Sequence, residues 1–224
     1  MAKEDKKTQE AEKATHKLVQ AIDQDPYNVD NYYQLGTILT EMQSFPQAEE
    51  LFKRAINIFN DQPAKVDLLT YGLGNVFYSA GLYDEAIQAF QKVTDHKLKA
   101  EAYLMIGQAN YAQQKYQQAM VFALTASDEM PQDKEPKRLL ADCFLALGKF
   151  DQAEDFYQQV LQMDETDLRA LFQVGVIKFT QESPEAAEQY FDKVKQLDQD
   201  YYDRMQQRLS DVQRAIKSKD QDDE

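Results

Sequence analysis

Two histidines, His16 and His96, and a single cysteine, Cys143, are the groups in this 224-residue chain best suited to metal binding or nucleophilic chemistry. A metal or catalytic site needs such groups at ligand spacing, or a nucleophile beside a base. The histidines stand far apart in the sequence, and neither has a Cys or Asp cluster near it. The segment LTYGLGN carries two glycines but lacks the pattern of a phosphate-cradling loop. Acidic pairs such as Asp84 and Glu85 fall where a helix would start, a placement the helix dipole favours. These residues predict no catalytic site, no metal and no other cofactor.

Composition sets the frame in which those residues sit. Gly numbers only 7 and Pro 6, too few for a chain rich in strands and tight turns, while hydrophobic residues make up 43%. Glu, Gln, Ala, Lys and Leu are plentiful, and they lose least on entering a helix, so an all-α protein is expected. Acidic residues outnumber basic ones 39 to 25, giving a net charge of −14. Binding to a polyanion needs clustered Lys and Arg, so nucleic acid and anionic membranes are poor partners for this chain. The first residues, MAKEDKKTQEAEKATHKLVQ, are charged where a secretory signal is apolar. No run reaches the 18 or so apolar residues of a membrane span. With one cysteine no internal disulfide can form, and a cytoplasmic location is expected.

A pattern recurs along the chain: an apolar residue, Gly, a helix's length, an aromatic, two polar residues and Ala. It reads YYQLG…FPQA, YGLG…YDEA, YLMIG…YQQA, RLLA…FDQA and LFQVG…PEAA. The first small residue is Gly36, Gly74, Gly107, Ala141 and Gly175, at intervals of 38, 33, 34 and 34 residues. The second follows 12 residues later, as Ala48, Ala86, Ala119, Ala153 and Ala187. Further on come Phe52, Phe90, Ala123, Tyr157 and Phe191, then Ala55, Val93, Ala126, Val160 and Val194. Counting the Gly as position 8, position 17 is Phe45, Tyr83, Tyr116 and Phe150, with Pro184 in the fifth copy. Pro131 alone keeps the proline at position 32.

A period near 34 with these positions resembles the tetratricopeptide repeat (TPR), and the resemblance covers almost the whole chain. It implies an all-α, right-handed superhelix of about 12 antiparallel helices, an α-solenoid in which each repeat is completed by its neighbours. Five full repeats are expected at 29–66, 67–99, 100–133, 134–167 and 168–199. The A helices should run near 29–43, 66–80, 99–113, 134–147 and 167–181. The B helices should run near 46–60, 83–95, 116–130, 150–163 and 184–197. The long first interval places extra residues around NDQPAK, expected as a longer turn because Asn60, Asp61 and Pro63 disfavour helix. Cys143 then falls at position 10, shared with Ile38, Val76, Ala109 and Ile177, and reads as a core residue.

Residues 1–28 match the second half of a repeat through Ala14, Leu18, Ala21 and Pro26, predicting an orphan B-type helix. Residues 200–217 carry Tyr202, Met205, Leu209, Val212 and Ile216 on one stripe and predict a closing helix. Residues 218–224 are an acidic tail expected to be disordered.

In the TPR family the A helices line a concave groove, and the resemblance places a ligand surface here. Its members would be Tyr33, Thr37, Tyr71, Asn75, Tyr78, Leu104, Gln108, Tyr111, Arg138, Asp142, Phe172 and Phe179. Asp30, Thr40, Ser79, Glu101, Glu135, Leu145, Arg169 and Val176 complete the same positions. Tyrosine pairs a flat apolar face with a hydroxyl, which suits recognition, yet it also packs between A helices. TPR adaptors that grip acidic carboxyl-terminal peptides use Lys, Asn and Arg at set positions. Only Asn75 matches; Tyr71, Met105, Glu135 and Leu139 do not. The expected function is a small bacterial-type adaptor or scaffold whose groove takes a protein or peptide partner, neutral or mildly basic, or a partner helix. The alternative is a homo-oligomeric scaffold assembled through the terminal helices.

Overall fold

The computed structural model describes residues 2–181, 184–207 and 209–210, with side chains from residue 9 onward. Among these residues there are helices and no strands. The order is α1 (Ala2–Gln24), α2 (Val29–Glu41), α3 (Phe45–Ile58), α4 (Pro63–Ser79), α5 (Tyr83–Gln91), α6 (His96–Ala112), α7 (Tyr116–Glu129), α8 (Glu135–Ala146), α9 (Phe150–Met163), α10 (Leu168–Thr180) and α11 (Pro184–Leu197). Residues 199–207 form a twelfth helical stretch. Val212, Ile216 and the tail 218–224 lie outside the described residues.

Helices pair in chain order: α2 with α3, α4 with α5, α6 with α7, α8 with α9, and α10 with α11. The chain divides into two compact units, Met1–Met130 and Pro131–Glu224. In the first, α3 packs on α4 and α5 on α6, while the A helices α2, α4 and α6 lie side by side. In the second, α9 packs on α10.

Four turns between paired helices share one capping geometry. Gln43, Gly81, Gln114 and Gly148 adopt positive φ of 58°, 77°, 61° and 70°. The next amide then reaches back: Ser44 to the Leu39 carbonyl, Leu82 to Phe77, Lys115 to Asn110 and Lys149 to Phe144, at 2.8–2.9 Å. This is the Schellman closure, which satisfies carbonyls left over at a helix end. The helix starts use side chains. Asn28 accepts from the Asp30 amide, Asp95 from Lys97 and Leu98, and Asp167 from Ala170.

The helix spans depart from expectation in the second and third pairs. α4 begins at Pro63 rather than near 66, because proline fits the first helical turn, where its missing N–H costs nothing. The extra residues of the first interval therefore lengthen α4, and the turn is confined to residues 59–62. α5 stops at Gln91, not near 95, and α6 starts at His96. The buried Asp67 carboxylate explains this turn: it accepts the Thr94 amide at 3.1 Å, the Thr94 hydroxyl at 2.8 Å and the Asp95 amide at 2.6 Å.

The recurring small residues have a direct packing role. Ala48, Ala86, Ala119, Ala153 and Ala187 are buried. A Cβ on Gly36 would lie 2.3 Å from Phe52, one on Gly74 2.5 Å from Phe90, and one on Gly175 2.5 Å from Phe191. Each glycine thus makes room for the phenyl ring of its own partner helix. α1 packs on α2. Tyr201, Tyr202 and Met205 of the stretch 199–207 cover Leu171, Phe172 and Val194.

Candidate functional site

The expected surface residues fall in both units. In the first, Tyr33 on α2, Tyr71 and Tyr78 on α4 and Tyr111 on α6 are all half-buried. Each ring leans on an aromatic of its partner helix. Tyr33 meets Phe52 at 6.1 Å between centroids, Tyr71 meets Phe90 at 5.4 Å, Tyr78 meets Tyr83 at 5.6 Å and Tyr111 meets Tyr116 at 5.4 Å. One side of each ring is therefore structural, and each residue keeps part of its surface accessible. Burial pushes the Tyr33, Tyr71 and Tyr78 hydroxyls above the ordinary tyrosine range, so they stay neutral. For Tyr71 the charge of Glu101 adds to that effect.

Asn75 and Gln108 are half-buried on the same helices. The Asn75 amide acts on the Tyr71 hydroxyl. The Gln108 amide makes no hydrogen bond among the described residues. Thr37 is exposed but donates its hydroxyl to the Tyr33 carbonyl at 2.9 Å. Leu104 corrects the expectation: it is buried, because its turn of α6 faces the helices beside it.

In the second unit three of the four expected residues are already engaged. Asp142 is only 6% exposed and accepts the Tyr157 hydroxyl at 2.6 Å and the Arg169 guanidinium at 2.6 Å. Burial raises its pKa above the usual carboxylate range despite Arg169. Arg138 pairs with Glu135 and with Asp167, the latter at 3.2 Å. Phe172 is 4% exposed, with Phe191 at 5.5 Å, Tyr202 at 6.2 Å and Tyr201 at 6.4 Å around it. Reading positions one repeat at a time places these three on a ligand surface and misses the side chains that cover them. Phe179 alone remains open, 58% exposed, since Pro184 stands where other copies place an aromatic partner.

The ion network around Arg138 was not read from the sequence. Lys134 reaches Asp164 at 2.5 Å and Asp167 at 2.8 Å. Asp164 caps the end of α9 and Asp167 the start of α10, so the signal available was a pair of acidic caps about one repeat beyond Lys134 and Arg138 at the start of α8. Lys134 and Thr166 hold Asp164 down to about 2. Burial pushes Asp167 upward, but Lys134, the Ala170 amide and Arg138 outweigh it and leave the pKa lowered.

The chemistry-bearing residues are dispersed. Cys143 is buried, and burial with the nearby Asp142 pushes its thiol up to about 12. The His96 Nε2 lies 3.6 Å from Glu129 at the surface, and the His16 ring contacts the Gln20 amide at 3.0 Å. Among the described residues no three His, Cys, Asp or Glu side chains group to hold a metal. None of the described helices is long and apolar enough to cross a membrane.

Family models described as tetratricopeptide repeat match residues 27–96, 71–134, 110–167 and 144–209, nearly every helix pair just described. The chain is a tetratricopeptide-repeat protein. Comparison with curated protein sequences gives no match. Among solved structures, this TPR protein is similar to YrrB, described as a TPR protein with an unusual peptide-binding site. The identity is 20%, over 82% of this chain and 93% of that one, with a TM-score of 0.57. MamA from Desulfovibrio magneticus RS-1 is 18% identical over 76% of this chain and 95% of its own, with a TM-score of 0.63. BtubC from P. vanneervenii is 13% identical over 84% and 88%, with a TM-score of 0.71. At these identities the likeness is one of fold: an all-α helical repeat.

Proposed function

We propose that this TPR protein is a non-catalytic interaction module that takes an extended peptide, or one face of a partner helix, along α2, α4 and α6. The observation that carries this reading is the row of half-buried tyrosines, each ring braced from behind by an aromatic of its partner helix. Braced rings lose little entropy on binding, so the part of each that stays accessible is ready-made contact area. Gln108, which makes no hydrogen bond among the described residues, and Asn75 are carried by the same helices and offer amides to a peptide backbone. The description of YrrB as a peptide binder agrees with such a use of the fold but does not specify it.

The test is affinity capture with mass spectrometry, comparing the wild type with Y71A/N75A/Y78A/Y111A and with the milder N75A/Q108A. Partners held by the wild type should be absent from the first variant and reduced with the second, at unchanged helicity. Capture of the same partners by all three proteins would move the binding surface elsewhere.

A further inference from the structure

The face of α2, α4 and α6 carries a negative charge that no cation among the described residues pairs with. Glu101 on α6 is exposed and makes no ion pair among the described residues. Lys97, one turn earlier, forms no pair with it, and Lys99 lies over the Tyr103 ring at 5.9 Å instead. Three helices converge at this point. Tyr33 of α2 reaches α4 so closely that a Cβ on Gly72 would lie 3.2 Å from its ring. Tyr71, the residue before Gly72 on α4, is held by Phe90 at 5.4 Å. The Tyr71 hydroxyl donates a hydrogen bond to the Glu101 carboxylate, and the same charge acts on the Tyr33 hydroxyl. Asp30 is the other charged residue of the face, and no Lys or Arg occupies its groove positions in this unit.

We propose that Glu101, walled by Tyr33 and Tyr71, is a subsite for an Arg or Lys side chain of a bound peptide. The inference rests on the peptide-binding reading above and deepens it. An ammonium or guanidinium gains a charge-assisted hydrogen bond to the carboxylate, and its apolar stem lies along the tyrosine rings. Rings that displace water lower the local dielectric, so the pair is worth more than a fully hydrated surface pair. Arginine adds planar stacking and a two-pronged contact, and should be preferred over lysine.

The test is selection of random dodecapeptides displayed on phage against the full chain as wild type, E101Q and E101K. The wild type should enrich Arg, and more weakly Lys, at one fixed distance from an apolar anchor. E101Q should lose that bias and bind the wild-type peptides about tenfold more weakly, as expected for a lost charged hydrogen bond. E101K should enrich Asp or Glu at the same place. Glu101 is exposed, so these variants should keep wild-type circular dichroism, and a loss of fold in E101Q would itself contradict the surface role. Peptides enriched without a basic bias, or with a bias that survives E101Q, would overturn the subsite while leaving the peptide-binding face intact. A wild type that enriches nothing would overturn the peptide-binding reading as well.

Discussion

Gly74 shows how much a single atom matters in this repeat. A Cβ there would lie 2.5, 2.7 and 2.8 Å from three carbons of the Phe90 ring, which is 1% exposed and has nowhere to go. Alanine gains helix propensity, but overpacking outweighs it, so G74A should destabilise by about 1–3 kcal/mol. A lower urea midpoint with an unchanged slope would confirm this. Gln114 offers the opposite case. It holds φ at 61°, where a side chain is strained, in a turn whose counterparts use Gly81 and Gly148. Q114G should stabilise by about 0.5–1 kcal/mol, read as a raised thermal midpoint. The glycine pattern was legible in the sequence because Phe52, Phe90 and Phe191 each press a ring onto the glycine they face and leave no room for a Cβ. The capping role of Gln43 and Gln114 was not, because glutamine carries no turn signal. Residue-by-residue reading also put Leu104, Asp142 and Phe172 on a ligand surface, where burial by side chains from elsewhere in the chain decides otherwise.

At the scale of elements, helix ends depend on carboxylates that reach them from another helix. Asp67 on α4 accepts three hydrogen bonds from Thr94 and Asp95, which end α5 early and start α6. D67A should cost about 1–3 kcal/mol and raise hydrogen exchange at residues 92–96; unchanged exchange there would remove the latch. The second unit uses Lys134 to join Asp164 and Asp167. Both aspartates have lowered pKa values, Asp164 from 3.8 to about 2. Their contribution is therefore present above about pH 4 and lost as pH falls toward 2. K134M should flatten that part of the stability profile in urea titrations between pH 5 and pH 2.5. Helix existence and period were readable because apolar positions recur in register. The start of α4 was not, since Pro63 serves equally to end a turn or to open a helix; nor was the ion network, whose partners lie about a repeat's length away in sequence.

At the scale of the whole molecule, the proposed binding face lies within the first unit of the TPR fold. The net charge of −14 and the Glu101 subsite both favour a partner with basic side chains. Such a partner should dissociate more readily as salt is raised, a dependence that E101Q should reduce. The most direct test of the central claim places a photo-crosslinking amino acid at four exposed or half-exposed positions. Ser79 and Gln108 belong to α4 and α6, whereas Glu50 and Gln88 are exposed on α3 and α5. Crosslinks to a partner from Ser79 and Gln108, with none from Glu50 or Gln88, is the predicted result. Crosslinks from Glu50 or Gln88 alone would contradict it.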